Sequence, residues 1–254
     1  MIVVAYGAGT NSTALLIGMR ERGIRPALTI FSDTGGEKPH TYEHLRRVSE
    51  WCVSVGFPEI VMVKRHTTVS RFERIGTYTT LEEDCRAKNM LPSIAYGFKG
   101  CSHKYKREPQ DKFCNSHPGC QAEWAAGRKV VKYIGYDADE TRRAKIESDE
   151  KYEYQYPLIE WGWGREECEA AIVRAGLPLP GKSSCFFCPS SKKPEIIDLK
   201  ERYPDLLERA LAMEAAAQLT SVKGLGRSFN WKEFLDGKQQ SDLATPDIPC
   251  ECYD

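Results

Sequence analysis

Between an apolar run, Ile2 to Ala5, and a helix-like run, Ala14 to Arg22, the chain reads Tyr6-Gly7-Ala8-Gly9-Thr10-Asn11-Ser12-Thr13. Small residues let a backbone approach an anion, and the N–H groups that open the following helix point at it, with the helix dipole behind them. No Gly-Lys-Ser/Thr closes this stretch, so it is not of the Walker type. We call residues 6–13 the glycine loop. It predicts a phosphate-binding turn at the end of a parallel strand, with a purely structural tight turn as the alternative.

Short apolar runs alternate with helical patterns on either side of the loop. Strands are expected at Ile2 to Ala5, Ala27 to Phe31, Ile60 to Val63 and Val130 to Ile134, and helices at Ser12 to Arg22 and Thr41 to Val55. This alternation predicts an α/β fold with a Rossmann-like doubly wound parallel sheet, whose ligands bind beyond the carboxyl ends of the strands.

The remaining sequence divides into an insertion and a C-terminal extension. Residues 65–128 are polar, rich in Lys and Arg, and hold four of the cysteines, so they predict an insertion or lid within a nucleotide-binding domain of residues 1–190. Residues 191–254 predict a helical extension, with a helix from about Pro194 to Gln218 that Pro204 divides. From Ser221 onward periodicity is lost, which predicts an extended arm.

Composition restricts the class of protein. The 254 residues suffice for one α/β core with a small appendage, and 36 basic residues balance 36 acidic ones, so no strongly basic nucleic-acid surface is indicated. No apolar run approaches the roughly 18 residues of a membrane span. We therefore expect a soluble, cytoplasmic protein without a membrane partner. Its ten cysteines are expected to be reduced, and the clustered ones indicate metal ligation or redox chemistry.

A second polar segment, Phe31-Ser32-Asp33-Thr34-Gly35-Gly36-Glu37, follows the second expected strand. A carboxylate and a hydroxyl at a strand end suit a ribose or adenine edge, or a metal that bridges phosphates. An Asx-turn that caps the next helix is the alternative. The candidate nucleotide-binding residues here are Ser32, Asp33, Thr34, Gly35 and Glu37.

Five segments, in order, resemble those of the PP-loop adenine nucleotide α-hydrolase superfamily, and within it the phosphoadenylyl-sulfate (PAPS) reductase-like family. Gly7 to Ser12 resembles the loop form SGGxDS, and Asp33-Thr34-Gly35 with Glu37, Pro39 and Tyr42 resembles DTGxxxPET-Y. The segment from Ile134 to Arg143 is similar to the form GxRxxES, and the segment from Tyr156 to Trp161 is similar to PLxxW. The segment from Gly176 to Pro189 is similar to GxP…GCxxC. The likeness covers about residues 2 to 190.

The resemblance implies that the loop binds the phosphate end of an adenine nucleotide, either ATP or a sulfonucleotide (PAPS or APS), with chemistry at or beyond its α-phosphate. Gly135 belongs to the implied site. Asp137 replaces the arginine of GxRxxES, so Arg142 and Arg143 become the candidate cations. Asn11 stands where the family often has Asp, and an amide offers Mg²⁺ only a neutral ligand.

The spacing of Cys185 and Cys188 lets two thiolates reach one metal or cluster. With Cys101 upstream, the pattern resembles the adenylyl-sulfate reductases that hold a [4Fe–4S] cluster, and Cys85 is the expected fourth ligand. Cys250 and Cys252 are alternative ligands. Together with Cys185 and Cys188 they would form a site of four thiolates, which suits zinc as well as a cluster. Redox-active or free thiols are a further alternative.

The other cysteines are expected to be structural. Cys114, His117 and Cys120 form a local triplet that resembles a small metal knuckle but is more often incidental. Cys52 and Cys168 lie within helical patterns and are expected to pack as small hydrophobes.

Two chemistries fit these residues. In the reductive one, Cys250 or Cys252 attacks the sulfur of a sulfonucleotide, and a thiol reductant is the partner. In the other, ATP is split between its α- and β-phosphates to adenylylate an acceptor, such as a nucleic acid, for a sulfur donor. The tail lacks the ECGLH motif of the assimilatory reductases, which favours the second, whereas its thiols favour the first.

Lys106 is a third candidate catalytic residue, because a cation following Cys101 matches the family form CxxxKxxP and can neutralise a phosphate. A non-catalytic, zinc-stapled nucleotide-binding module is the remaining hypothesis. It is motivated by Gly7 and Asn11, which replace the Ser and Asp of the family loop.

Overall fold

The centre of the computed structural model is a five-stranded, all-parallel sheet, whose strands lie side by side in the order Ile60–Lys64, Leu28–Asp33, Ile2–Tyr6, Val130–Ile134 and Tyr152–Gln155. The structure describes residues 1–67, 77–92, 94–95, 98–220 and 222–237. The strands are β1 (Ile2–Tyr6), β2 (Leu28–Asp33), β3 (Ile60–Lys64), β4 (His66–Thr67), β5 (Thr77–Tyr78), β6 (Ile94–Ala95), β7 (Phe98–Lys99), β8 (Val130–Ile134) and β9 (Tyr152–Gln155). The pairs β4-β5 and β6-β7 form separate two-stranded sheets. The predicted α/β parallel fold is confirmed.

Helices follow the strands along the chain. They are α1 (Thr10–Glu21), α2 (Pro39–Ser54), α3 (Leu81–Ala87), α4 (Gly100–Ser102), α5 (Glu108–Ser116), α6 (Pro118–Ala125), α7 (Pro157–Glu160), α8 (Arg165–Arg174), α9 (Lys193–Arg202), α10 (Pro204–Ala216) and α11 (Trp231–Leu235). A π-helical turn, His103–Arg107, joins α4 to α5, and a 3-10 turn, Ala138–Arg143, follows β8. The division at Pro204 is as predicted, because Pro cannot continue the preceding helix.

Alternate residues of β1 enter two different cores, because successive side chains of a strand point to opposite faces. Val4 packs on one face with residues of α1, α2 and α8, whereas Val3 packs on the other with Cys114 of α5 and Cys120 of α6. Residues 108–125 therefore belong to a helical layer on the sheet. Because both faces of β1 are buried, its sequence is a continuous apolar run.

The C-terminal region has its own core. The prediction of an extended arm is therefore wrong for residues 222–237. Trp231 is fully buried among side chains of α9 and α10. The buried carboxylate of Glu214 accepts hydrogen bonds from the backbone N–H groups of Leu225 at 2.7 Å and Trp231 at 3.0 Å. A buried acceptor of this kind holds a segment that has no repeating pattern of its own.

No helix within the described parts of the chain is long and apolar enough to cross a membrane.

Candidate functional site

The glycine loop lies at the carboxyl end of β1, where the strand order reverses between β1 and β8. This switch point is where open parallel sheets bind their ligands. Gly135, directly after β8, touches the loop from behind: a Cβ at this position would lie 2.9 Å from both Cα and N of Ser12. The close approach of two backbones explains why a glycine is needed there.

Ser12 closes the loop from inside. Its hydroxyl oxygen accepts the N–H groups of Gly7 at 3.2 Å and Gly9 at 3.3 Å. The first N–H groups of α1, from Thr10 onward, have no intrahelical acceptor. These N–H groups are therefore the donors that a bound anion would meet.

Ala8 adopts a left-handed backbone conformation, with φ of +58°. This conformation costs an L-residue about 1–2 kcal/mol relative to the right-handed one. The SGGxDS form has glycine at the corresponding place, which the strain explains. The sequence comparison alone did not single out this position.

Replacing Ala8 with Gly is expected to raise the free energy of unfolding by up to about 1 kcal/mol, because strain is relieved at a modest entropic cost. Urea denaturation measures the change. Ala14→Gly in the interior of α1 is the matched control and should lower stability by at least about 1 kcal/mol. A loss of stability in Ala8→Gly similar to that of the control would contradict the strain.

Two carboxylates flank the side chain of Asn11. Its amide nitrogen donates to Asp137 Oδ2 at 2.9 Å and to Glu140 Oε2 at 3.0 Å. Burial, and then the neighbouring Glu140 carboxylate, raises the pKa of Asp137. Asp137 thus brings negative charge to the place where the family has an arginine.

The two candidate arginines differ in their positions. Arg143 donates to Glu140 Oε1 at 2.6 Å, and its guanidinium lies 4.2 Å from the centre of the Tyr136 ring. Arg142 is exposed. Arg143 is therefore the arginine connected to Asn11, and Glu140 makes the connection because it contacts both side chains.

Asp33 forms an Asx-turn with Gly35, but this turn does not cap the next helix as the alternative expected, because α2 begins at Pro39 after Lys38. Its Oδ1 accepts the N–H of Gly35 at 2.8 Å and the hydroxyl of Tyr42 at 2.7 Å. Lys64 Nζ lies 3.4 Å from Oδ2. Because the carboxylate is buried and held by these contacts, it shapes the loop after β2.

The CxxC segment packs on this loop. Cys185 Sγ lies 3.1 Å from Thr34 Oγ1, and the N–H of Phe186 donates to the carbonyl of Gly36 at 2.8 Å. Just before it, Ser183 covers the glycine loop, since a Cβ on Gly9 would lie 2.9 Å from Ser183 Oγ. Residues 183–188 therefore join the two predicted nucleotide-binding segments. The contact of Ser183 with the glycine loop was not predicted, and the only sequence signal for it is that Ser183 lies next to the CxxC segment.

Lys106 enters the same region from the π-helical turn. Its Nζ lies 3.9 Å from Glu37 Oε1, with both side chains largely buried, and its carbonyl accepts the Ser32 hydroxyl at 2.8 Å. π-helical turns are frequent at functional sites. The predicted catalytic lysine thus lies beside Glu37, between the loop after β2 and the CxxC.

Burial affects the thiols of two of the four predicted cysteine ligands. Burial raises the pKa of Cys85 to about 12, with smaller effects from Asp84 and Cys101. Burial likewise raises the pKa of Cys185, and Cys188 adds to the effect. Cys85, Cys101 and Cys185 contact one apolar cluster. Within the described residues, however, no three His, Cys, Asp or Glu side chains are arranged to hold a metal.

The four-cysteine cluster therefore stays a prediction, and no reaction step is derived through it. Cys250 and Cys252 lie outside the described residues. Among the structural cysteines, Cys52 and Cys168 are fully buried, as predicted. In the local triplet, His117 caps α6 by accepting the N–H of Gly119 at 3.1 Å.

An open cavity of about 510 Å³ lies beside the loop after β2. It is lined by Glu37, Pro39, Tyr42, Glu43, Arg46 and Leu206. Its lining includes Glu37 and the tyrosine that holds Asp33, but no residue of the glycine loop. The cavity provides space next to the CxxC contact.

No protein-family model matches this chain, and a search of curated proteins returns no match. Fold and site together define the class as an α/β protein with an all-parallel sheet and a glycine loop at its switch point.

Proposed function

We propose that the protein is a PP-loop enzyme, similar to the PAPS reductase-like family, that binds an adenine nucleotide at the glycine loop and acts at its α-phosphate. The position of the loop, the unpaired N–H groups of the first turn of α1 and the close contact of Gly135 support nucleotide binding.

The surroundings of Asn11 favour ATP as the nucleotide. Asp137 and Glu140 both lie within hydrogen-bond distance of its amide, next to the loop. Two carboxylates repel a bare polyanion, whereas they suit a nucleotide that arrives with a divalent cation. We therefore prefer AMP-forming cleavage of ATP, and the preference rests on the contact of Asn11 with Asp137 and Glu140.

The donor atoms at this place fit Mg²⁺. Asn11 Oδ1 is buried and has no hydrogen-bond partner among the described residues. The carboxylates of Asp137 and Glu140 supply hard oxygen donors, which Mg²⁺ prefers, whereas the Asn11 amide meets them through its nitrogen, so that its Oδ1 is directed away from them. Bound there, Mg²⁺ would neutralise charge on the phosphates.

The protein residues supply binding and orientation. The N–H groups of the first turn of α1 hold the phosphate chain, and Arg143 holds Glu140. The acceptor's nucleophile attacks the α-phosphorus, and the bond from this phosphorus to the bridging oxygen breaks. Its electron pair leaves with pyrophosphate, so the acceptor carries AMP. A nucleic acid is one candidate acceptor, and a sulfur donor would then displace the AMP.

Sulfonucleotide reduction is the second candidate, favoured by the contact of Cys185 with Thr34. A thiolate of Cys250 or Cys252 would attack the sulfur, and the S–O bond would break with its electron pair on the leaving nucleotide. A thiol reductant would then release sulfite and form a disulfide. A [4Fe–4S] cluster on Cys85, Cys101, Cys185 and Cys188 belongs to this candidate, whereas zinc belongs to the non-catalytic module.

Protein prepared without oxygen, incubated with ATP and Mg²⁺ or with PAPS or APS, separates the candidates. Release of pyrophosphate without sulfite supports the AMP-forming enzyme, whereas sulfite without pyrophosphate rejects it. Nucleotide binding with neither product across a panel of thiol and nucleic-acid acceptors would indicate the non-catalytic module. The visible absorbance of the same preparation distinguishes a cluster from zinc.

Asp137→Asn is expected to raise the Mg²⁺ concentration needed for half-maximal pyrophosphate release about tenfold, because a charged ligand becomes neutral, which corresponds to about 1.4 kcal/mol. Titration of Mg²⁺ at fixed ATP measures the shift. Glu147→Gln, an exposed carboxylate change in the same segment, serves as the control. Equal Mg²⁺ requirements in both variants would reject the assignment of Asp137.

A further inference from the structure

A chain of three buried polar side chains joins the two ends of the glycine loop to α2. The Tyr6 hydroxyl is 3.1 Å from Thr13 Oγ1, and Thr13 Oγ1 is 3.0 Å from His44 Nε2. The exposed fractions are 1% for Tyr6, 0% for Thr13 and 4% for His44. Buried polar groups that satisfy one another resist separation, because water is not there to replace a lost partner.

The chain connects three elements around the loop. Tyr6 ends β1, Thr13 lies in the first turn of α1, and His44 belongs to α2. The N–H of Thr13 also donates to the carbonyl of Gly9 at 3.1 Å. The Thr13 hydroxyl thus connects both ends of the loop to a helix that lies outside it.

All three groups are neutral near pH 7. Burial, followed by the charges of Arg47 and His40 on the same helix, lowers the pKa of His44 to about 4. Burial also raises the pKa of the Tyr6 hydroxyl. A neutral imidazole can accept at Nε2 from Thr13 while Tyr6 donates to Thr13, and the other tautomer reverses both bonds, so that either arrangement connects all three side chains.

We infer that His44 is a positioning residue: through the Thr13 hydroxyl it fixes the first turn of α1, and with it the direction of the N–H groups that meet the phosphates. Binding by backbone donors depends on their being held in place before the ligand arrives. The consequence for nucleotides rests on the proposed function, whereas the effect on the loop itself does not.

Hydrogen exchange without nucleotide tests the inference directly. His44→Phe keeps a ring but removes the hydrogen bond, and it should speed exchange of the hydrogen-bonded loop amides of Gly9 and Thr13 about tenfold while leaving the amides of β1 and β8 unchanged. His44→Gln keeps an acceptor and should restore slow exchange. Slow loop exchange in His44→Phe would overturn the inference.

Thr13 provides a second pair of variants in case His44→Phe does not fold. Thr13→Val removes the hydroxyl at nearly constant volume, and Thr13→Ser keeps it. Faster loop exchange in the valine variant only is expected. Equal exchange in both variants would contradict the role of the hydroxyl chain.

Steady-state kinetics then connect the loop to the nucleotide. We expect His44→Phe to raise KM for ATP about tenfold with kcat retained, because a loosened loop binds more weakly but completes the same reaction. A fall in kcat at unchanged KM would indicate a smaller folded fraction and overturn the positioning role. If the unmodified protein neither binds nor converts adenine nucleotides, the proposed function fails, and the exchange comparison still decides the role of His44.

Discussion

Gly135→Ala is expected to weaken binding of the adenine nucleotide by about 10- to 100-fold, the largest effect on function of any change proposed here. The added methyl group would lie 2.9 Å from the backbone N and Cα of Ser12. Backbone atoms of a helix start cannot rotate away as a side chain does, so β8 and the glycine loop must separate. Overpacking of this kind costs about 1–3 kcal/mol, which corresponds to that loss of affinity.

Isothermal titration with ATP and Mg²⁺ measures the loss. Gly119→Ala is the matched control, because the three atoms nearest to its methyl group in the first turn of α6 are side-chain atoms of His117 and Met1, at 3.1 to 3.2 Å. Far-ultraviolet circular dichroism establishes that both variants fold. Unchanged affinity in a folded Gly135→Ala variant would remove the glycine loop as the phosphate site.

Asp111→Ala is expected to lower the free energy of unfolding by about 3–5 kcal/mol, the largest effect on stability. Lys132 lies in β8 with its side chain 1% exposed, and its ammonium pairs with the Asp111 carboxylate of α5 at 2.5 Å. The ammonium also lies 4.0 Å from the centre of the Tyr152 ring. Removing the carboxylate leaves a buried cation without its counter-charge, which is far more costly than losing an exposed pair.

Urea denaturation of three variants separates these contributions. Asp198→Ala breaks an exposed pair with Arg202, with both side chains about half exposed, and should cost less than about 1 kcal/mol. Adding Lys132→Met to Asp111→Ala should recover most of the lost stability, because an apolar side chain then fills the buried position. If the double variant is no more stable than Asp111→Ala alone, the loss does not come from the unpaired charge.

The local elements were predictable because their signals lie within a few residues. Apolar runs predicted β1, β2, β3 and β8, and Pro204 marked the break between α9 and α10. The glycine loop was predicted for the same reason, since small residues between a strand and a helix form a local pattern. By contrast, the edge strand β9 was missed, because Tyr152 to Gln155 is short and partly polar.

The contacts that define the candidate site lie between segments far apart in sequence. Asn11 meets Asp137 across 126 residues, and Thr34 meets Cys185 across 151 residues. The residue types predicted a role for Asp33 in nucleotide binding, which stays a prediction, and the fold adds contacts of its carboxylate with Gly35, Tyr42 and Lys64. Which polar groups meet depends on packing, and no local pattern encodes it.

The sequence by itself determined the parallel α/β fold and the place of the glycine loop at the end of its first strand, because apolar runs and small residues are local signals. The strand order, which makes this end the switch point, is a property of the tertiary structure. Only the tertiary structure decided that the loop is flanked by the carboxylates of Asp137 and Glu140, covered by Ser183 and supported by His44. Each of these contacts arises where separate segments converge at the carboxyl ends of parallel strands, and their chemistry depends on that convergence.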